Sequence, residues 1–256
     1  TFQAEQLALW LRALPRPVRC AIADLAARLP PKSYDYQTWR YRLRRFCAGL
    51  CAADAERHLT WLGAFAPHRI DPLLTSAVRS QLPSDLLADV ADRLPQRGAG
   101  EWWRGLCAYY LRGYLEDEVL VKVDRASMYA SLEVRAPFLD YRVAELVYSL
   151  PKAMRLRGFR GKYLLKRLMA GRLPAATVYR RKQGFAVPLG AWLKRELKPL
   201  ATDLLSADRI ERQGIFQAHA VQRLLVDHLE GRVDNHKELW TLMAFQLWWQ
   251  RWMRNG

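Results

Sequence analysis

The segment Glu116–Asp140, which reads EDEVLVKVDRASMYASLEVRAPFLD, decides how the rest of the chain is interpreted. It alternates apolar, charged and turn-forming residues more closely than an ordinary amphipathic helix does. Its valines alternate over 119–123, which predicts a short extended run, and Asp124 can cap the element that follows. Apolar residues at helical spacing then predict a helix over 125–134, and Pro137 is expected to stop it.

Four charged residues of this segment stand between apolar neighbours on both sides. We expect them to be half-buried and to find partners, because an unpaired buried charge costs several kcal/mol. Residue chemistry alone favours a structural ion-pair network, and the support of a functional site is the alternative. The four residues are Asp124, Arg125, Glu133 and Arg135.

A second segment, 154–166, concentrates positive charge around two glycines and reads MRLRGFRGKYLLK. Cations beside glycines suit a phosphate group, because glycine lets backbone N–H groups approach and lysine supplies a mobile point charge. Lys162, at the start of a predicted helix, is the first candidate for a catalytic residue, with Arg160 and Gly161 beside it. Tyr163 is expected to point inward with the leucines that follow it. A solvated basic surface is the alternative interpretation of this segment.

A third segment, 180–185, repeats the same chemistry and reads RRKQGF. Lys182 supplies charge, and Gly184 allows a tight turn. The loop could close over a polyanion, or it could be solvated basic surface. The chain has no classical P-loop or Rossmann glycine pattern, and no Ser/His/Asp or Cys/His arrangement stands out.

Composition places the chain among soluble globular proteins with one large domain or two small ones. Its 256 residues include 41 Lys plus Arg against 25 Asp plus Glu, a formal net charge of +16, so a partner selected by charge would be anionic. No nucleic-acid-binding motif organises the basic residues, and nucleic acid is therefore not an expected partner. No apolar run reaches the ~18 residues of a spanning helix, and no signal-peptide pattern occurs, so we expect a cytoplasmic protein without membrane contact.

The cysteines and histidines do not predict a metal site within this chain. Cys20, Cys47, Cys51 and Cys107 lack paired metal-ligand spacing, and buried reduced thiols are expected. The five histidines are scattered along the sequence. Because the first methionine is Met128, we expect the chain to be a piece of a longer protein.

The remaining pattern is helical nearly throughout, so the predicted fold class is mainly α. Aromatic residues of the helix 100–115 fall on more than one face, and apolar residues cover nearly the whole circumference of 236–254. The first of these helices is therefore expected to be covered all round, and the second to be covered on most sides in the complete protein, with part of its surface open in this chain. The other helices are predicted over 4–14, 17–29, 34–45, 53–62, 84–94, 141–150, 162–172, 190–200 and 216–229. Asp140 is the predicted cap of the helix 141–150, and Pro151 is expected to end it.

Two long motifs resemble a known family. Residues 120–140, LVKVDRASMYASLEVRAPFLD, resemble the central signature of the carboxy-terminal synthetase domain of glutamine-hydrolysing asparagine synthetases. Residues 157–193, RGFRGKYLLKRLMAGRLPAATVYRRKQGFAVPLGAWL, are similar to that family's next signature. The tail LWTLMAFQLWWQRW also resembles the family's ending.

The resemblance implies an ATP-dependent ligase. Such enzymes use ATP and Mg²⁺ to adenylate the side-chain carboxylate of aspartate, and ammonia released from glutamine by a glutaminase domain or subunit then attacks. The resemblance places Lys162 at the adenylate and pyrophosphate, where it would stabilise developing charge. The four charged residues named above would support that site, and the loop from Lys182 to Gly184 would border it. Whether the protein forms a homodimer is left open.

The sequence also departs from the family. The pyrophosphate loop SGGxDS, the acidic GGDE segment and the amino-terminal cysteine of the glutaminase are not found. We therefore expect residues 1–256 to be the helical remainder of an α/β synthetase domain of the adenine-nucleotide alpha-hydrolase-like (PP-loop) type, inactive alone. Two alternatives stay open: a ring-forming relative such as a β-lactam synthetase or lasso-peptide cyclase, and a non-catalytic helical binding module.

Overall fold

The computed structural model describes residues 2–28, 39–52, 54–65, 67–85, 102–180 and 187–253. The chain divides into two compact units, of which the first combines 1–88 with 184–256 and the second comprises 89–183. Helices dominate the described residues, and a two-stranded antiparallel sheet accompanies them. The expectation of a mainly α chain is confirmed.

The elements of both units follow the chain in this order. The chain begins with α1 (Phe2–Leu11), α2 (Arg16–Ala27), α3 (Trp39–Ala48), α4 (Asp54–Leu62), 3-10 turns at Pro67–Arg69 and Asp71–Leu73, and α5 (Ser76–Arg79). The second unit contains α6 (Trp102–Tyr110), a π-helix (Leu111–Leu120), α7 (Val121–Tyr129), a 3-10 turn (Pro137–Leu139), α8 (Tyr141–Ser149), α9 (Lys152–Arg155), β1 (Leu156–Arg157), β2 (Arg160–Gly161), α10 (Tyr163–Met169) and α11 (Ala175–Val178). The first unit ends with α12 (Leu189–Trp192), α13 (Lys198–Leu204), α14 (Ala207–Gln213), α15 (Ala218–Leu229) and α16 (His236–Trp252).

The larger hydrophobic core of the first unit lies among its last helices. Leu204 of α13, Ile210 of α14 and Val221 of α15 are buried there. Helix α16 contributes Leu239 and Leu242, which lie on one face at the i, i+3 spacing of a helix. Burial of an aliphatic side chain is worth about 1.5 to 3 kcal/mol, so this face fixes α16 against the unit.

The opposite face of α16 is open in this chain. Four large apolar side chains on it are between 48% and 65% exposed, whereas the cover predicted for the complete protein extends to most sides of the helix. The open face agrees with the surface that is expected to stay uncovered in this chain, because the described residues of the first unit pack against one side of the helix. The exposed residues are Trp240, Leu247, Trp248 and Trp252.

The first unit has a second, smaller core of buried residues from α1, α2 and the end of α3, and a buried ion pair joins α1 to α4. Arg57 Nη1 lies 3.3 Å from Glu5 Oε2, and Arg57 Nε donates to Gly49 O at 3.1 Å. His58 Nε2 lies 3.5 Å from the same carboxylate oxygen. Because these side chains are almost wholly buried, the ion pair takes the place of the water that the charges lose.

Two of the four cysteines differ from the prediction of reduced thiols. Cys20 of α2 and Cys51 after α3 form a disulfide, with their Cα atoms 5.4 Å apart. Cys47 and Cys107 are free thiols, the first buried and the second half-buried. Spacing in sequence did not indicate the disulfide, because it depends on how α2 packs against α3.

A polar network joins α15 to the start of α16. His228 Nδ1 accepts a hydrogen bond from the Asn235 N–H at 3.2 Å, so Nε2 carries the proton and lies 3.1 Å from Gly190 O. Asp234 Oδ1 lies 3.6 Å from His228 Nδ1. Burial lowers the pKa of His228, and it outweighs the opposing effect of the Asp234 carboxylate.

The second unit differs most from its prediction. Helix α6 continues without a break through the π-helix into α7, so the extended run predicted over 119–123 is wrong. Asp124 lies inside α7 and caps nothing, and the helix predicted over 125–134 ends at Tyr129. A continuous helix satisfies its own backbone N–H and C=O groups, which an isolated strand does not. Among residues 102–180 only Leu106 and Leu156 are buried, so the predicted cover around the aromatic helix is also wrong.

Helix α8 begins at Tyr141 as predicted and ends one residue before the predicted Leu150. Asp140 caps it, because its Oδ1 accepts a hydrogen bond from the Arg142 N–H at 2.9 Å. Residues 86–94 of the predicted helix 84–94 lie outside the described residues. Residues 34–38 of the predicted helix 34–45 also lie outside them.

Candidate functional site: the hairpin around Lys162

The short helix α9 is held against α6 by two cationic contacts. Lys152 Nζ lies 4.0 Å from the centre of the Trp103 ring, and Arg155 Nη1 lies 3.3 Å from Cys107 Sγ. Burial lowers the pKa of Lys152. Burial also raises the pKa of Cys107, and the Arg155 cation acts in the opposite direction. These contacts fix the point from which the hairpin leaves the helix.

The hairpin brings its two arginines side by side. Strand β1 pairs with β2 so that Leu156 faces Gly161 and Arg157 faces Arg160. Gly158 occupies the first position of the two-residue turn with φ of 58°, a conformation that glycine adopts without steric cost. The buried Leu156 anchors the hairpin, and its arginine side chains remain exposed.

Lys162 connects the hairpin to α10 in an unusual backbone conformation. Its φ is 56° and its ψ is 38°, which is the left-handed region. This region costs an L-residue about 1 to 2 kcal/mol. Non-glycine residues held there cluster at functional sites, so the conformation supports a functional role. The prediction of a helix that includes Lys162 is off by one residue, because α10 begins at Tyr163.

Positive charge on the hairpin and α10 is left without carboxylate partners. Within the described part of the chain, none of five cationic side chains there forms an ion pair. The same unit pairs other arginines, such as Arg142 with Asp140 at 2.6 Å. Cations without carboxylate partners suit an anionic ligand. The five residues are Arg157, Arg160, Lys162, Lys166 and Arg167.

Tyr163 was predicted to point into a core, and it does not. Its side chain is half-buried, and its hydroxyl oxygen accepts hydrogen bonds from Arg157 Nη1 at 2.5 Å and from Arg167 Nη1 at 3.2 Å. The leucines that were expected to point inward with it, Leu164 and Leu168, are 44% and 56% exposed. The i, i+4 spacing of Tyr163 and Arg167 was the available signal for one of these contacts.

Gly161 offers open space beside Lys162. A Cβ atom built on it would have no neighbour within 4 Å, and its φ lies outside the left-handed region. The fold therefore does not need glycine at this position. The predicted approach of a ligand to the backbone at this residue stays a prediction.

The four charged residues of the first segment are exposed, which corrects their predicted half-burial. Glu133 and Arg135 form an ion pair at 2.7 Å with side chains 69% and 86% exposed. Asp124 and Arg125 on α7 are exposed as well. Their apolar neighbours, such as Leu132, are equally uncovered in the second unit, so these charges keep their water.

The predicted residues of the third segment cannot be placed. Lys182 and Gly184 lie outside the described residues. Among the residues that are described, no group of three or more His, Cys, Asp or Glu side chains is arranged to hold a metal ion. No described helix is both long and apolar enough to cross a membrane.

Comparison with known proteins identifies the family. The asparagine synthase family model matches residues 10–252, which is nearly the whole chain. The chain belongs to the asparagine synthase family. The resemblance carried by the two signature segments is thereby confirmed. Because Lys162 and its hairpin fall within the match, the unpaired cations belong to an asparagine synthase domain.

Curated relatives agree with the family. The chain is 30% identical over 135 residues to asparagine synthetase [glutamine-hydrolyzing] 1 of Bacillus subtilis and 35% identical over 136 residues to a putative asparagine synthetase [glutamine-hydrolyzing] of Mycobacterium tuberculosis. Each match covers 53% of this chain and 21% of the relative. A third relative, asparagine synthetase [glutamine-hydrolyzing] 3 of Bacillus subtilis, is 42% identical over 67 residues, which are 26% of this chain and 11% of the relative. The chain thus spans only a fraction of the length of these asparagine synthases.

No solved structure shows a significant match to the chain. The relatives named above are asparagine synthetases, which gives no support to the ring-forming or the non-catalytic alternative.

Proposed function

We propose that this chain is part of an ATP-dependent amidotransferase that adenylates the side-chain carboxylate of aspartate and transfers glutamine-derived ammonia to it, forming asparagine. The family match over residues 10–252 carries the proposal. The relatives' names supply the glutamine-hydrolysing character. We place the protein in the cytoplasm, with a glutaminase domain or subunit as its partner and with a homodimer as one oligomeric form.

The cations around Lys162 fit the phosphates of ATP. Lys162 is exposed beside Arg160, and neither forms an ion pair within the described part of the chain. Bound ATP would supply the adenylyl group that activates the carboxylate. Lys162 would stabilise the charge that develops on the departing pyrophosphate, and Arg160 with the backbone of Gly161 would hold the phosphates. In this proposal Lys182 and Gly184 border the same phosphates.

The four exposed charges of the first segment have a supporting role in this proposal. Asp124 and Arg125 are exposed, as is the Glu133–Arg135 ion pair, so all four can be reached by a substrate or by another part of the synthetase. Their proposed task is to orient the residues that contact the substrate.

The described residues offer no ready-made set of protein ligands for Mg²⁺. No group of three or more His, Cys, Asp or Glu side chains among them is arranged to hold a metal ion, and Mg²⁺ takes part of its ligands from substrate phosphates. We therefore derive no step that passes through the metal ion.

We also propose that residues 1–256 are the carboxy-terminal part of an α/β synthetase domain of the PP-loop type. The mainly helical composition of the chain and the family match support this assignment. In it, the helices described above would cover a parallel sheet formed elsewhere in the synthetase.

Replacing Lys162 tests the proposed reaction. In the protein produced from its natural gene, Lys162→Ala should slow pyrophosphate release by about 100-fold or more, since it removes a charge-stabilising group from the transition state. Glutamate release from glutamine should stay near the wild-type rate, because that chemistry belongs to the glutaminase. Lys198→Ala is the matched control, because Lys198 is an exposed lysine of the first unit. Equal loss of both products in a folded Lys162→Ala protein would refute the assigned role.

A further inference from the structure

Two arginines converge on one tyrosine oxygen immediately after Lys162. Arg157 lies on β1 and Arg167 lies on α10, one turn beyond Tyr163. Both guanidinium groups donate to the Tyr163 hydroxyl, at 2.5 Å and 3.2 Å, and the Arg157 guanidinium also lies 5.2 Å from the centre of the tyrosine ring. The hairpin and the helix thereby hold two positive charges close together.

This arrangement has an electrostatic cost that the described residues do not offset. Like charges repel, and no carboxylate pairs with Arg157 or Arg167 in the part of the chain that the structure describes. The tyrosine oxygen offers only a neutral acceptor to each guanidinium. A polyvalent anion beside the three side chains would remove the repulsion and would make charge-assisted hydrogen bonds.

The donors that remain match a phosphate group. Each guanidinium has five N–H donors and uses one of them on Tyr163, and the neutral phenol still has its own O–H to donate. Arginine suits phosphate because its planar fork donates two parallel hydrogen bonds to two oxygens. We propose that Arg157, Tyr163 and Arg167 form an anion site for a phosphate group of ATP or of the pyrophosphate released from it. The choice of ATP rests on the proposed function, whereas the anion chemistry does not.

The phenol provides a direct readout of this site. Hydrogen bonds from Arg167 and from Arg157 lower the pKa of Tyr163, and the charges of the two arginines act in the same direction. A bound phosphate places negative charge beside the phenol, favours its protonated form and raises that pKa again. Phosphate affinity must correspondingly fall as the pH rises through the pKa of Tyr163, because the phenolate loses the O–H donor and repels the anion.

The test is a tyrosinate absorbance titration of the full chain with and without pyrophosphate. Subtracting the titration of Tyr163→Phe isolates the signal of this tyrosine from the other ten. Pyrophosphate and ATP should move the isolated step to higher pH, and potassium chloride at the same ionic strength should not. Calorimetry of the double variant Arg157→Gln and Arg167→Gln should show pyrophosphate binding weakened roughly tenfold, as expected for two exposed charge pairs.

The matched control is Arg172→Gln, which removes one exposed arginine of the same unit that does not contact Tyr163. It should leave the shift and the affinity as in wild type. The site would be overturned if potassium chloride moved the step as far as pyrophosphate does, or if the double variant kept wild-type affinity. A shift without any effect of Lys162→Ala on pyrophosphate release would retain the anion site and reject the proposed reaction. If pyrophosphate caused no shift but Lys162→Ala slowed pyrophosphate release, the site would be rejected and the reaction retained.

Discussion

Helix α16 allows the packing of this chain to be tested with two leucines on one helix. Leu239 is wholly buried in the larger core, whereas Leu247 is 50% exposed on the open face. A buried Leu→Ala replacement costs about 2 to 5 kcal/mol, because it removes apolar contacts and leaves a cavity. We therefore expect Leu239→Ala to lower the free energy of unfolding by about 3 kcal/mol and Leu247→Ala to lower it by less than about 1 kcal/mol.

Urea denaturation followed by circular dichroism measures the difference. The midpoint should fall for Leu239→Ala, and the dependence of the unfolding free energy on urea should stay the same in both variants. Equal losses for the two leucines would show that the two faces of α16 are not packed as described. Leu242 and Met243 are buried like Leu239, and truncating each of them should cost a similar amount of free energy. The summed loss is comparable to the ~5 to 15 kcal/mol stability of a whole domain, so deleting 236–256 should prevent folding.

Three further predictions concern the site, the buried histidine and the disulfide. Gly161→Ala should keep the free energy of unfolding within about 0.5 kcal/mol of wild type but slow pyrophosphate release. Gly171 also has open space around it, and Gly171→Ala should change neither the stability nor the rate of pyrophosphate release. Thermal melting should show stability falling as the pH drops below the ordinary histidine pKa of about 6.5, since the folded state keeps His228 neutral, and His228→Gln should flatten this dependence. Thiol titration of the unfolded chain should give two free thiols without reductant and four with it, because of the Cys20–Cys51 disulfide; four in both cases would rule the bond out.

Local signals predicted the helices that end on strong stop and start residues. Helix α8 is the best case, because Asp140 caps its first turn and Pro151 follows its end. An aspartate before an apolar periodic run supplies the missing hydrogen-bond acceptor wherever the helix packs. Such elements were predictable because their ends depend on residues close in sequence.

Predictions that depended on tertiary cover failed in the second unit. The alternation over 119–123 indicated a strand, but a strand needs a neighbour for its hydrogen bonds, and the helix that starts at Trp102 continues through these residues instead. The expected half-burial of Glu133 and Arg135 assumed that their apolar neighbours would be covered. The sequence shows which residues are charged and which are apolar, but whether they are buried depends on what packs against them.

The geometry at Lys162 lay beyond sequence reasoning for a different reason. A lysine with φ of 56° follows from how the two-residue hairpin and α10 join, and no propensity of lysine predicts it. The same junction brings Tyr163 Oη to Arg157, a contact between strand and helix that helical spacing cannot indicate. The backbone conformation of Lys162 and the approach of two unpaired arginines each cost free energy in this chain, and a polyphosphate beside them would offset the electrostatic part. An anion site of this kind can therefore be recognised from its residues, because their backbone conformation and their unpaired charges are unfavourable in the fold alone.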